Sequence, residues 1–435
     1  MNLKLELESA LSEDHLHLLH VIADFAGSFG YPIYMVGGSV RDLLLGRSIN
    51  DFDLTVEGDA GAFAESMMRK VGGKILIHKK FETARWTPTE TTFERLEVPI
   101  LEPENFPPFL DFVTARTETY SQPGALPTVK RSSLNEDLRR RDFTVNAMAV
   151  RLDGSHFGEL VDIINGRSDL ERGLIRILHP KSFVDDPTRM FRAVRYAGRY
   201  GFKIEPGTLE LFNAEAKSVL AELSGERLRH EFDLIFGEVN LILMWEKLKE
   251  LGVLSSIHPS ISKVDAKMLA DVADEPAEGF GEFALDDILS FRHTLGWVFV
   301  LMHLADKDVE EIAERLAFPA LLTKTARAAS VLLGDLPGLK ESQPSPSQWT
   351  LYLDGLPSLS VYAVWLVSST GVLQEYLVKW KNVNPFTSGD DLKELGLVPG
   401  PRFKEILTSL RAAWLDGKVT SKEDEIELRN RLIAN

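Results

Sequence analysis

An α+β architecture is predicted from this sequence: a small mixed-sheet head followed by an all-helical remainder. Three observations carry it. The first 150 residues interleave short apolar runs with Gly, Pro and Asn punctuation, which reads as short strands between helices. Residues 50–56 alternate polar and apolar strictly, the signature of a half-buried strand. From about residue 155 to the end, apolar residues recur at helical spacing. The expected divisions are 1–154, 155–235, 236–345 and 346–435.

Taken in order, Leu16, Leu19, Ile22 and Phe25 share one helical face, so residues 3–29 are predicted as one amphipathic helix ended by Gly30-Tyr31-Pro32. Residues 33–36 read as a buried strand, then Gly37-Gly38 opens a helix over 40–45 closed by Gly46. The alternating strand at 50–56 follows, and 74–78, 82–87, 92–100 and 109–115 are expected as further strands. Two seams interrupt the helical part: an acidic one at 271–282, and one at 336–347 where Pro, Ser and Gly accumulate.

Composition narrows the function. The 435 residues contain no cysteine, which excludes disulfides, thiolate metal sites and a cysteine nucleophile. The longest apolar stretches, such as 361–367, fall far short of the roughly 20 residues of a membrane span. No basic-then-apolar leader opens the chain, so a cytoplasmic protein is expected. With 49 Lys+Arg against 65 Asp+Glu the formal charge is −16, which argues against indiscriminate nucleic-acid coating. Residues 130–200 reverse that balance, with 14 basic and 10 acidic side chains. A local basic stretch in an acidic chain suits a polyanion held at one place.

The chemistry concentrates at 36–58. On a strand, Asp51, Asp53 and Thr55 share one face, and the two carboxylates stand about 7 Å apart at the backbone. Paired hard oxygen ligands suit Mg²⁺ shared with substrate phosphates, as two-metal phosphoryl transfer requires. By itself a D-x-D also fits a solvated strand face. Upstream, however, Gly37, Gly38 and Ser39 lie between a strand and a helix start, where bare amides and the helix dipole can receive a triphosphate, with Arg41 placed to add charge.

The run Val36-Gly37-Gly38-Ser39-Val40-Arg41-Asp42, then Leu44-Leu45-Gly46-Arg47, then Asp51-Phe52-Asp53 resembles the signature of the class II tRNA nucleotidyltransferases, the CCA-adding enzymes and bacterial poly(A) polymerases. Further pieces follow in family order: Asp137 to Ala147, Asp162 to Arg176, Asp185-Asp186-Pro187-Thr188-Arg189 with Arg192, Arg195, Gly201 and Phe202, then Glu226-Arg227. The segment from Ser388 to Pro401 is similar to the family's C-terminal region. The resemblance implies a catalytic head at 1–154, a neck at 155–235 carrying the nucleotide-selecting helix, a body at 236–345, and a tail at 346–435 that contacts tRNA. It implies attack of a tRNA 3′-hydroxyl on the α-phosphate of CTP or ATP, with Mg²⁺ held by Asp51 and Asp53, and with Arg141, Asp142 and Asn146 at the nucleotide. Forms that add only CC or only A, and poly(A) polymerases, share these motifs; a non-catalytic relative would be expected to lose the D-x-D.

The residues support base selection independently. Asp186 before Pro187 is a helix start, and Asp186 and Arg189, three apart, share one helical face. A carboxylate beside a planar donor fork complements the Watson–Crick edge of cytosine or adenine. Against uracil or guanine it leaves polar groups unpaired. Arg192 and Arg195 lie further along the helix, toward the triphosphate. Asp111, in Leu110-Asp111-Phe112-Val113, is a candidate third carboxylate, an edge-strand role being the alternative, and Glu82 is a weaker one. Residues 116–131 read as a mobile connection, which the resemblance associates with the change from CTP to ATP. The ten histidines show no metal-ligand spacing, and Trp245, Trp297, Trp349, Trp365, Trp380 and Trp414 are expected in the core.

Overall fold

The computed structural model describes residues 1–49, 52–95, 107–125, 127–285 and 287–434. They form two compact units, Met1–Leu223 and Ser224–Asn435. The α+β expectation holds.

In the first unit, α1 (Lys4–Ala10) and α2 (Glu13–Phe29) replace the single helix predicted over 3–29. The break falls where Leu11 is extended and the Ser12 hydroxyl accepts from the His15 N–H, a side-chain cap that begins a new helix. β1 (Ile33–Val36) is buried throughout, as a central strand must be. It leads to α3 (Gly38–Leu44), β2 (Asp53–Val56), α4 (Ala60–Val71), β3 (Lys74–His78) and β4 (Thr83–Thr87). The strand expected over 92–100 is not found in its described part. Residues 92–95 belong to α5 (Glu90–Arg95), and the rest lies outside the described residues. The Thr92 hydroxyl accepts from the Thr89 N–H, and this local bond overrides the strand preference of a threonine-rich run.

β5 (Leu110–Thr114) precedes a hairpin of β6 (Arg116–Thr119) and β7 (Thr128–Arg131). Then come α6 (Leu134–Arg139), β8 (Ala149–Arg151), β9 (Leu160–Val161), α7 (Gly166–Glu171), β10 (Leu174–Ile175), α8 (Ser182–Asp185), α9 (Thr188–Tyr200) and β11 (Lys203–Ile204). The sheet order is β3-β4-β5-β2-β1-β8-β9. Only the β2–β5 pair in it is parallel, and the register sets Asp53 opposite Asp111. Phe25, Phe63 and Phe112 pack edge-on and tilted between α2, α4 and the sheet. Leu134 and Leu138 of α6 pack with Tyr34, Val36 and Ala149. This core fixes the β1–α3 turn and the exposed N-terminal end of β2 side by side.

The second unit is helical. Phe232, Phe236, Trp245 and Trp297 form an aromatic core with ring centroids 5.0 to 6.2 Å apart. Residues 271–282 carry no helix or strand, as the acidic seam suggested. At the other seam the helix Ala320–Ser342 runs on through Pro337, because Ala326, Ala329, Leu332 and Leu336 keep an apolar stripe buried along it. Trp245, Trp297 and Trp349 are buried, whereas Trp365, Trp380 and Trp414 are only half-buried. Among the described residues no helix is long and apolar enough to cross a membrane.

Candidate active site

The site begins at a glycine that must be a glycine. Gly37 has φ 70° and ψ −125°, a conformation L side chains rarely adopt. A Cβ built there would lie 2.7 Å from Arg141 Nη1 and 3.8 Å from Asp53 Oδ2. One turn therefore brings together three elements that the sequence places far apart: the start of α3, the exposed end of β2, and the arginine after α6. The Ser39 hydroxyl accepts the Asp53 N–H at 3.4 Å and ties α3 to β2. Asp51 lies outside the described residues.

Asp53 and Asp111 are paired in register on the two parallel strands, so both project from the same face of the sheet, and hard oxygen donors on one face fit a divalent cation. Asp53 is exposed. Asp111 is half-buried and accepts from Arg85 Nε and Nη2 at 2.8 Å each, so both its oxygens are engaged in a bidentate pair. Arg85 must yield before Asp111 can join a cation. Glu82 is drawn elsewhere, 3.9 Å from Arg131.

The arginines divide into two kinds. Arg41 is buried with every guanidinium nitrogen bonded: Nε and Nη2 donate to Asp42, Nη1 donates to the Asn146 Oδ1 at 2.6 Å, and the guanidinium lies 4.5 Å from the Tyr200 ring centroid. It clasps α3 to Asn146 and α9. Every nitrogen of Arg140 is likewise bonded, to Asp137, the Arg116 carbonyl or Glu118. Arg141 differs. Its Nη2 donates to Asp137 Oδ2 at 3.0 Å, its Nε is buried with no hydrogen-bond partner, and its Nη1 points at the Gly37 turn. Arg195 Nε is likewise buried without an acceptor. Buried cationic donors lacking an acceptor are what an anion site presents before its ligand arrives.

Two buried carboxylates organise these cations. Burial pushes the Asp137 carboxyl up, but Arg141 and Arg140 outweigh it and hold it below the ordinary range. The same balance holds at Asp142, where burial is overcome by Arg192, the Asn146 amide and Arg189. Asp142 Oδ1 accepts from the Phe143 N–H and Asn146 Nδ2, and its other oxygen pairs with Arg192. Asp142 therefore faces protein donors and orients Arg192.

Just before Pro187 at the start of α9, Asp186 Oδ1 accepts from the Thr188 N–H and hydroxyl. Arg189 is buried; Nη1 donates to the Ser182 hydroxyl at 2.6 Å and Nη2 to the Arg140 carbonyl at 3.0 Å. The hairpin of β6 and β7 sends Tyr120 toward this pair. Burial and Glu118 push its phenol up to about 12, with Arg189 and Asp186 both within electrostatic reach. The tip of the hairpin approaches the helix Ala214–Glu222, where a Cβ on Gly124 would meet Val219 at 3.1 Å.

Sequence reading missed Asp137, Glu118, Ser182 and Arg85. Asp137 left a signal, its spacing of three and four to Arg140 and Arg141 on one helix. The other three act across elements and left none. A second cluster lies elsewhere: His258, Asp308 and Glu311 converge although fifty residues separate the histidine from the carboxylates. His258 Nδ1 accepts the Ser260 N–H, which places the ring proton on Nε2, 3.1 Å from Glu311 Oε2. A metal would need the lone pair that this proton occupies, so the trio clasps the Asp306–Arg315 helix to residues 258–260.

Residues 33–176 match the family described as the poly A polymerase head domain, and 201–264 the one described as the probable RNA and SrmB-binding site of polymerase A. An A-adding tRNA nucleotidyltransferase of Halalkalibacterium halodurans is 34% identical over 438 residues, covering 97% of this chain and 93% of the relative. The A-adding tRNA nucleotidyltransferase of Geobacter sulfurreducens is 35% identical over 427 residues, but the chain spans only 45% of its length. Among solved structures, an apo CCA-adding enzyme superposes with a TM-score of 0.82 at 30% identity, covering 100% of this chain and 99% of that one. Similarity along nearly the whole length of both chains shows that this one belongs to the tRNA nucleotidyltransferase and poly(A) polymerase family.

Proposed function

We propose that this protein is a template-independent nucleotidyltransferase that adds A, C or both to the 3′ end of tRNA from ATP and CTP, releasing pyrophosphate. The observation that carries it is the convergence of Asp53, the Gly37 turn and Arg141 within one small volume. That volume offers oxygen ligands on one side and anion donors on the other, which a nucleoside triphosphate and its cation both need. The names of the two relatives above favour the A-adding form.

In this reading Asp51 and Asp53 hold Mg²⁺, with Asp111 as a third carboxylate once released from Arg85. Bound there, the ion would lower the pKa of the attacking 3′-hydroxyl and offset charge on the leaving pyrophosphate. The start of α3 at Gly38 and Ser39, exposed to the ligand by the Gly37 turn, and the side chains of Arg141 and Arg195 receive the triphosphate. Arg41, Asn146 and Asp142 shape that cradle, and Asp142 presents Arg192 to it. Asp186 and Arg189 read the base. The residue ranges given for head, neck, body and tail follow the same reading, with the tail on tRNA, where paired RNA is recognised by shape and phosphate contact. Its substrates place the enzyme in the cytoplasm.

The test supplies CTP or ATP singly, with Mg²⁺, to tRNAs ending before, within and after CC. Addition of A to tRNA ending in CC is expected, and extension of the shorter tRNAs identifies a CC-adding or complete CCA-adding enzyme. Failure to extend any of them refutes the proposal.

A further inference from the structure

Base reading by a guanidinium works only if its plane is fixed before the base arrives, since a fork free to rotate can satisfy any edge. Arg189 is buried, and two acceptors set its plane: the Ser182 hydroxyl at 2.6 Å and the Arg140 carbonyl at 3.0 Å. Ser182 is itself fully buried at the start of α8, with its N–H donating to the His179 carbonyl and its own carbonyl accepting from the Asp186 N–H. One residue thus touches both members of the selecting pair, through its side chain to Arg189 and its backbone to Asp186. The Arg140 carbonyl is equally constrained, because every nitrogen of that side chain is bound to Asp137, Glu118 or the Arg116 carbonyl.

We propose that Ser182 is a positioning residue for nucleotide selection, its hydroxyl fixing the Arg189 guanidinium at the angle from which it discriminates the base edge. The inference rests on the assignment of Asp186 and Arg189 as base readers. Each nitrogen that donates to Ser182 or Arg140 carries a second hydrogen, so the anchoring bonds leave donors for the substrate.

The measurement is kcat and KM for ATP, CTP and UTP, each supplied singly with the tRNA substrate, in Ser182→Ala, Ser182→Cys and Ser182→Thr. Loss of a hydrogen bond to a charged group alters an equilibrium by about tenfold or more. Ser182→Ala and Ser182→Cys are expected to lower discrimination against UTP about tenfold, mostly through KM. Ser182→Thr, which keeps the hydroxyl, is expected to restore it. Ser182→Cys closely matches the native volume and covers a failure of the alanine variant to fold. An equal drop in kcat/KM for all three nucleotides, or unchanged discrimination, overturns the proposal. Arg189→Ala separates it from the reading beneath: discrimination lost there but kept without the hydroxyl rejects Ser182 alone. Discrimination kept in Arg189→Ala rejects the base-reading assignment itself.

Discussion

Asp53 and Asp111 occupy partnered positions on parallel strands, and Arg85, partnered with Asp111 on the other side, closes both oxygens of that second carboxylate. Asp53 is solvent-exposed at the strand end, and Asp111 is held by a cation that competes with any metal. If Asp111 serves as a ligand, Arg85→Gln should leave the melting temperature essentially unchanged, the pair being partly exposed to solvent, and should lower the Mg²⁺ concentration that half-saturates the reaction. Asp111→Ala should reduce kcat by about a hundredfold or more. Wild-type turnover in Asp111→Ala would return that residue to a structural role.

Gly37→Ala tests the turn. The substitution forces an unfavourable backbone conformation, costing on the order of 1–3 kcal/mol, and drives a methyl against Arg141. Nucleotide KM should rise at least about tenfold as the cradle is displaced, with a smaller effect on overall fold. Steady-state kinetics and circular dichroism distinguish the two, and an unchanged KM would remove the turn from the binding site.

Asp233 gives the second unit a defined pH dependence. Burial pushes its carboxyl up to about 6, against a bond from the Trp297 indole and the nearby Arg229 and His230. The folded state thus holds a proton that the unfolded chain has already released. Its contribution to stability is greatest below about pH 4, declines as pH rises toward 6, and levels off above it. Asp233→Asn should abolish that slope, becoming more stable than wild type at pH 7 by about 2 kcal/mol. Denaturant unfolding of both proteins from pH 4 to 8 is the check; parallel curves would contradict it.

Glu425 anchors the C-terminal helices. Its buried carboxylate accepts from the Phe386 and Thr387 N–H groups, the Thr387 hydroxyl and the Trp414 indole. Glu425→Ala leaves four donors without their acceptor and should cost about 3 kcal/mol or more. Thermal unfolding reads this directly, and a change of less than about 0.5 kcal/mol would show that the network contributes little.

What the sequence disclosed about the fold and the site was what is encoded locally. The Gly37 turn, the start of α3 and the start of α9 beside Asp186 each lie within a few residues, so spacing alone exposes them. Helix breaks were less legible, since Ser12 and the Thr89–Thr92 pair decide them by single side-chain bonds that periodicity does not register. The inward bonds of Arg41 and Arg140 were hidden too. Arg41 reads as a phosphate-facing cation, yet it is bound to Asn146, as Arg140 is to Glu118, partners brought in by tertiary folding. The same holds for Arg85 on Asp111, which exists only because β4 and β5 align antiparallel in that register.

In the proposed reaction, the carboxylate at the end of β2 and the Gly37 turn beside it form the centre of nucleotidyl transfer. Single-turnover incorporation of labelled ATP into tRNA ending in CC, comparing wild type with Asp53→Asn, tests it most directly. Incorporation is expected to fall by about a thousandfold or more while far-ultraviolet circular dichroism and melting temperature stay close to wild type. Incorporation by Asp53→Asn at the wild-type rate would contradict it.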